Sequence, residues 1–494
     1  MTPTMTVAAT AKTDTPSVAG GAALLALSLT EAADAVARGE ITAVALTQAS
    51  IQAFQQKDGP LNALIRLDAE EALEAAEGLD HLRKAGRLLG PLHGVPLAHK
   101  DMYYQPGKPN TAGSRIRREF HPAHASTALQ RLEAAGSITV GALNMAEFAQ
   151  NPTGHNAHFG DCRNPWNTDY CTGGSSSGSA AAVAARFIYA ALGSDTGGSI
   201  RLPASLCGVT GIKGTQTRVS RYGAMPLSFS ADNVGPLART ARDCARIMKI
   251  IAGQDAKDPT SSREPVPDYE AALTGDVRGV RIGVPRDYFF DDVDADVGAA
   301  IDAALKALEA AGAKLIPVSL PYMEAVATYG SIVSRCEAAA IHAEWMRDRP
   351  DDYSIHLSAR IYGGFAIPAA YYIEALSRRG PILKAFADAV FCDVDVFAAP
   401  TVRSKVPTRA ETDVDSGRAG TIAAFNAVSA NTRVVNYLGL PSISVPCGFD
   451  ARGLPIGLML QARPFGEARL FRVADAFQRL TDWHDAMPPT NALA

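Results

Sequence analysis

Two glycine–serine clusters carry the residue types that could do chemistry: Cys171-Thr172-Gly173-Gly174-Ser175-Ser176-Ser177-Gly178-Ser179, and Gly193-Ser194-Asp195-Thr196-Gly197-Gly198-Ser199-Ile200-Arg201. The alanine-rich apolar segment between them has room for a helix and a strand, so the chain leaves one tight loop and re-enters another. Glycine admits positive φ and lets a ligand approach the backbone, at an entropic cost that a purely structural loop seldom bears twice in so short a span. Ser199 follows Gly197-Gly198 directly and opens an apolar, helix-compatible run to Cys207. A helix start offers free N–H groups and the positive end of the dipole, which suits an oxyanion. The spacing points to a serine nucleophile beside its own oxyanion hole.

Competing uses of such loops fail on what the sequence lacks. A phosphate-binding loop needs GxxxxGK followed by serine or threonine, and neither cluster carries that lysine. Gly174-Ser175-Ser176-Ser177-Gly178 does satisfy GxSxG, with Ser176 where a nucleophile elbow holds its serine. An elbow follows directly on a strand, whereas Asn167 to Thr172 is polar loop, and His342, His356 and His484 stand in no distinctive motif. A base could come instead from Lys100, which ends the short apolar stretch after Gly94-Val95-Pro96. Burying an ammonium without a partner is costly and lowers its pKa, which turns the amine into a general base. A solvated lysine at a strand end is the other reading of the same residue. The pairs His121/His124 and His155/His158 lack the further convergent ligands of a zinc site. Loop hydrogen bonding is their expected role, and neither a metal nor a cofactor is expected.

The elements that must hold these loops read as alternating helices and strands. Amphipathic helices are predicted from Thr30 to Arg38 and Thr42 to Gln56, each with a threonine at the N-cap position, and a third from Ala69 to Ala85. A helix from Ala128 to Ala135 precedes a strand from Ser137 to Gly141. Farther on, a strand from Gly279 to Pro285, a helix of 3.6 periodicity from Val297 to Ala311 and a strand from Ala313 to Val318 repeat the alternation. The expected architecture is α/β layering around one mixed sheet. Residues 1–27 and 486–494 read as tails around a single catalytic domain at 28–485, with 320–390 a helical region. The chain has 494 residues, 47% hydrophobic and 20% charged, with formal net charge −4, which gives ample core and no electrostatic footprint for nucleic acid. Seven cysteines without a CxxC pair read as reduced core residues of a cytoplasmic protein. The apolar run from Ala22 to Leu29 is too short to span a membrane, and no membrane partner is expected.

Lys100, the Gly173–Ala182 segment, Asp195-Thr196-Gly197-Gly198-Ser199-Ile200-Arg201-Leu202-Pro203, Cys207-Gly208-Val209 and Gly211-Ile212-Lys213 together resemble the amidase signature family of serine hydrolases. Gly439 to Pro446, Gly453 to Gly457 and Arg463 to Glu467 extend the resemblance over about residues 28 to 480, in several ordered blocks. The resemblance implies a central mixed sheet flanked by helices on both faces. It also implies a triad of Ser199 as nucleophile, Ser175 in a cis peptide as relay and Lys100 as base. Backbone N–H groups of Thr196, Gly197, Gly198 and Ser199 would form the oxyanion hole. Asp195 and Arg201 would brace the loop as an ion pair, Ser176 would support Ser175, and Ala149 and Gln150 would border the substrate together with Ser175. Three positions depart from the usual pattern: Ser177 for glycine, Ala142 for lysine and Met459 for glutamine. The last two are expected to leave the chemistry untouched.

For the substrate, the resemblance leads to a small apolar or aromatic carboxamide, with ester or carbamate hydrolysis as side activities and a homodimer compatible with the reading. Aromatics at 322, 329, 345, 362, 365, 371 and 372, with Tyr103 and Tyr104, are expected to divide between core packing and an acyl pocket. The alternative is a glutaminase subunit of a tRNA-dependent amidotransferase. Arg360-Ile361-Tyr362-Gly363-Gly364 resembles that subunit where an arginine grips a carboxylate, although a solvated Arg360 fits as well. Gly214-Thr215-Gln216-Thr217 after Lys213 lacks that subunit's Gly/Pro/Tyr neighbours, which leans toward the stand-alone enzyme.

Overall fold

In the computed structural model, residues 18–285 and 287–489 are described. Eleven strands follow in chain order: β1 (Leu64–Leu67), β2 (Pro96–Lys100), β3 (Ile138–Leu143), β4 (Ala190–Ser194), β5 (Thr210–Lys213), β6 (Val234–Ala238), β7 (Arg281–Pro285), β8 (Lys314–Val318), β9 (Val396–Pro400), β10 (Ser442–Phe449) and β11 (Pro455–Ala462). Eight of them form a sheet of order β4-β6-β5-β10-β11-β9-β7-β8, antiparallel from β4 to β9 and parallel over β9, β7 and β8. The mixed α/β sheet is as expected, but one sheet is not the whole account. β1, β3 and β2 form a separate three-stranded sheet, and that sheet delivers Lys100.

Side-chain alternation divides the core between the two faces of the large sheet. In β11, Leu458 and Leu460 join the cluster that includes Leu470 and Phe471, while Met459 joins one with Val434 and Val435. In β9, Val396 and Ala398 go to the first cluster, and Phe397 and Ala399 to the second. A strand buried on both faces must be apolar almost throughout, which is why β11 reads Pro-Ile-Gly-Leu-Met-Leu-Gln-Ala and is buried at every position. Gly457 is small because a Cβ there would run into Ser205, so the helix Arg201–Cys207 sits directly on this strand. The small sheet lies beside β4, where Leu192 N–H donates to His99 Nδ1 at 3.2 Å.

Helix ends follow their caps. Thr42 caps Ala43–Lys57 by accepting from Ala45 N–H, as the sequence indicated. Thr30 is not the cap it was expected to be: Ser28 caps Leu29–Arg38 in a reciprocal box with Glu31, and Thr30 N–H donates to Asp243 instead. The expected amino-terminal tail is corrected over its last part, because Val18–Ala26 is helical; residues 1–17 and 490–494 lie outside the described residues. The segment 320–390 is helical as expected, over Met323–Asp348, Ile355–Phe365 and Ala369–Val390. No single helix among the described residues is long and apolar enough to cross a membrane.

Candidate active site

Lys100 ends β2 at 1% exposure, so the buried reading is the one the fold adopts. Its Nζ lies 2.7 Å from Ser175 Oγ and 2.9 Å from Ser194 Oγ. Burial pushes its pKa down to about 7, against the opposing pull of Asp232 and Asp195, so much of the amine is neutral near neutral pH. Ser175 follows a cis Gly174–Ser175 bond and is fully buried. The helix Ser177–Ala184 begins two residues later, and its close approach to the small sheet rests on Gly178, where a Cβ would strike Ala63 and Asn144. Ser176 Oγ accepts from Ser194 N–H at 3.3 Å and Ser176 N–H donates to Ser199 C=O at 3.3 Å, so Ser176 staples the two clusters together. The hydrogen bond to Ser175 expected of it is not among its contacts in the described residues.

The second cluster leaves β4 at Ser194 and is wound around Asp195. The carboxylate accepts from Gly198 N–H at 2.8 Å, Ile200 N–H at 3.2 Å, Arg201 Nε and Nη2 at 3.0 Å each, and Asn436 Nδ2 at 2.9 Å. Burial alone would raise the pKa of Asp195, but the Arg201 guanidinium overrides it, and with Lys213 and Asn436 holds the carboxyl down at about 2. Asp195 and Arg201 are therefore the brace the sequence suggested. Met459 is closer to the chemistry than expected, since Arg201 Nη1 donates to its sulfur at 3.3 Å. The oxyanion donors need a correction at one position: Gly198 N–H is spent on Asp195 and is not free to serve an oxyanion. Among the described residues, the N–H groups of Thr196, Gly197 and Ser199 have no protein acceptor. Gly198 has φ +127° and packs against Thr432, which permits only glycine there.

Ser199, 9% exposed, opens on a cavity that Thr196, Gly197, Ala149 and Gln150 also line. Phe148 and Ala149 take positive φ, 46° and 60°, in the turn before Gln150. Gln150 lines the cavity, and its Nε2 is buried without a protein hydrogen-bond partner among the described residues. The rest of the lining differs from the expected aromatic pocket. From 320–390 it takes Gly330, Val333, Ser334, Arg360 and Arg379, and none of the aromatics singled out there. Tyr322, Tyr362, Phe365 and Tyr371 are exposed, Trp345 stacks on Phe148, and Tyr103 donates to Gly193 C=O at 2.5 Å. Sequence reasoning also missed Ser194, Asp232, Thr432, Arg433 and Asn436. Ser194 stood inside the second cluster and could have been weighed; the others come from separate segments with no local signal. His155 and His158 tie loops through Asp161, Thr412 and Glu147, consistent with their expected role.

A buried amine beside serine hydroxyls, next to a cavity edged by free backbone N–H groups, on a mixed sheet of this topology, defines an amide-hydrolysing enzyme. The Amidase family profile matches residues 45–471, and the chain belongs to that family. It is 42% identical over 486 residues to a glutamyl-tRNA(Gln) amidotransferase subunit of Chloroflexus aggregans, covering 94% of this chain and 98% of that protein. Among solved structures, a vestigial protein complex that bears on the origins of an s-triazine catabolic enzyme matches with TM-score 0.86 and 33% identity, over 92% of this chain and 98% of that one. The native peptide amidase of Stenotrophomonas maltophilia matches with TM-score 0.78 and 30% identity, over 92% and 96% of the two chains.

Proposed function

We propose that the chain hydrolyses a carboxamide C–N bond with Ser199 as nucleophile, Ser175 as proton relay and Lys100 as base, through an acyl-enzyme. The observation that carries this is the buried Lys100 amine hydrogen-bonded to Ser175 in the loop stapled to the Ser199 loop. A neutral amine has one lone pair and two N–H groups: it donates to Ser194 Oγ and turns the lone pair to accept from Ser175. Ser175 takes the proton of Ser199 as it attacks the carbonyl carbon. The free N–H groups of Thr196, Gly197 and Ser199 stabilise the tetrahedral oxyanion, where the loss of one donor typically costs about 100- to 1000-fold in rate. The C–N bond breaks as the relay returns the proton to the nitrogen, and the same relay activates water to free the acid.

For the substrate, the relatives' names support the glutamine-using amidotransferase subunit over a small apolar amide, and Arg360 in the cavity is compatible with a carboxylate-bearing substrate. Labelling by a fluorophosphonate from about pH 6 to about pH 10 tests the serine assignment. Wild type and Ser176→Ala should label, and Ser199→Ala and Lys100→Ala should not. Labelling that survives in Ser199→Ala and is lost in Ser176→Ala would sink the triad.

A further inference from the structure

The cavity beside Ser199 has a one-sided charge. Arg360, Arg379 and Arg433 line it, and among the described residues no aspartate or glutamate does. Arg379 gives three of its five N–H groups to backbone, donating to the carbonyls of Tyr437, Ser230 and Asn436. Arg433 makes one such bond, to Asn426 C=O, and Arg360 has neither a hydrogen-bond partner nor an acidic neighbour among the described residues. Burial, with the like charges of Arg433 and Arg335, lowers the Arg360 pKa to about 10, as expected for cations crowded together without an anion. The nearby carboxylates are committed elsewhere. Asp195 holds Arg201, Asp232 accepts from Thr196 Oγ1 and two backbone N–H groups, and Glu337 accepts from Ser228, Ser230 and Tyr372. Arg433 also belongs to the nucleophile loop's surroundings, because a Cβ on Gly197 would lie 3.1 Å from its Cγ. Gly197 makes room for that stem two residues before Ser199.

We propose that the amide substrate carries a carboxylate a few bonds from the scissile carbonyl, gripped by Arg360 and Arg433, and carries no ammonium group: a monoamide of a short dicarboxylic acid. This rests on the Ser199 reading for the chemistry and parts from glutamine, the substrate that the relatives' names support, because the charge of the cavity is a separate observation. Two guanidiniums without an anion favour a carboxylate through charge-assisted, bidentate hydrogen bonds. An α-amino acid amide such as glutamine would bring an ammonium into the same field with no carboxylate on the described lining of this cavity to receive it.

The test uses three substrates of one length: glutaramate, which is glutamine without its amino group; glutamine itself; and pentanamide, which lacks the carboxylate. The expected kcat/KM for glutaramate exceeds both others by roughly 10- to 100-fold, the range of a hydrogen bond to a charged group. In Arg433→Met and Arg360→Met the ratio of glutaramate to pentanamide falls toward one, and Arg433→Lys restores part of it. Calorimetric binding to Ser199→Ala protein gives the same ranking without turnover. Glutamine equal to or better than glutaramate, or equal binding of glutaramate and pentanamide, overturns the proposal. Fluorophosphonate labelling of wild type keeps the readings apart: labelling with no preference for the anion removes the charge proposal alone. Absent labelling with the binding preference intact removes the nucleophile assignment alone.

Discussion

At the scale of the residue, Lys100 and Asp195 are both buried ionisable groups and are held in opposite ways. Lys100 has hydroxyl partners and no paired anion, so burial wins and its pKa falls to about 7. The proposed base is the neutral form, so activity should rise with pH through about 7 and flatten above it, with about a tenfold deficit one unit below. A rate–pH profile that is flat from about pH 6 to about pH 8.5 would contradict Lys100 as the base. Asp195 faces a guanidinium and several N–H donors, so pairing wins over burial. Its folded pKa lies below the ordinary 3.8, so its contribution to stability is present above about 4 and is lost as pH falls toward 2. Arg201→Met leaves that carboxylate buried and unpaired and should cost about 3–5 kcal/mol, read from chemical denaturation.

At the scale of the element, the unit is β4, the loop from Asp195 to Ile200 and the helix Arg201–Cys207. Its shape needs glycine at 198, where both the positive φ and the contact with Thr432 exclude a side chain. Gly198→Ala should cut fluorophosphonate labelling at least about 100-fold, because the displaced loop carries the proposed oxyanion donors. Circular dichroism should show the fold retained, and Thr432→Ala should recover only part of the loss, since the backbone strain remains. Full labelling in Gly198→Ala would mean the loop tolerates a geometry this account forbids. The Gly-Ser pattern announced this loop. It did not reveal that Gly198 N–H turns inward to Asp195, because that bond depends on where the carboxylate is pulled by Arg201 and by Asn436 from far along the chain.

At the scale of the whole molecule, the large sheet has a site face and a scaffold face. Leu458 and Met459 are neighbours in β11 and lie in different cores. Leu458→Ala should cost about 2–5 kcal/mol with kcat nearly unchanged. Met459→Ala removes the sulfur that Arg201 contacts and should lower kcat as well as stability. Equal kinetic effects of the two changes would argue against the division of faces.

Read from its own residues, the sequence pointed to Ser199 as the nucleophile candidate and to the α/β class, and the family resemblance added Ser175 as relay candidate and the Asp195–Arg201 pair. Those features reside in contiguous runs, where glycine, serine and apolar periodicity act through local backbone preference. Lys100 was legible only as one of two readings, since burial is a property of what packs over a strand end and not of the strand. The tertiary structure alone decided that Lys100 rides on its own small sheet beside β4, and that Ser194 is its second partner. It also decided that the helices between 320 and 390 present Arg360 and Arg379 to the cavity, and none of the aromatics singled out there. Contacts such as Arg360 and Arg433 beside Ser199 join segments more than 150 residues apart. No local preference encodes them; they follow from how the packed layers meet.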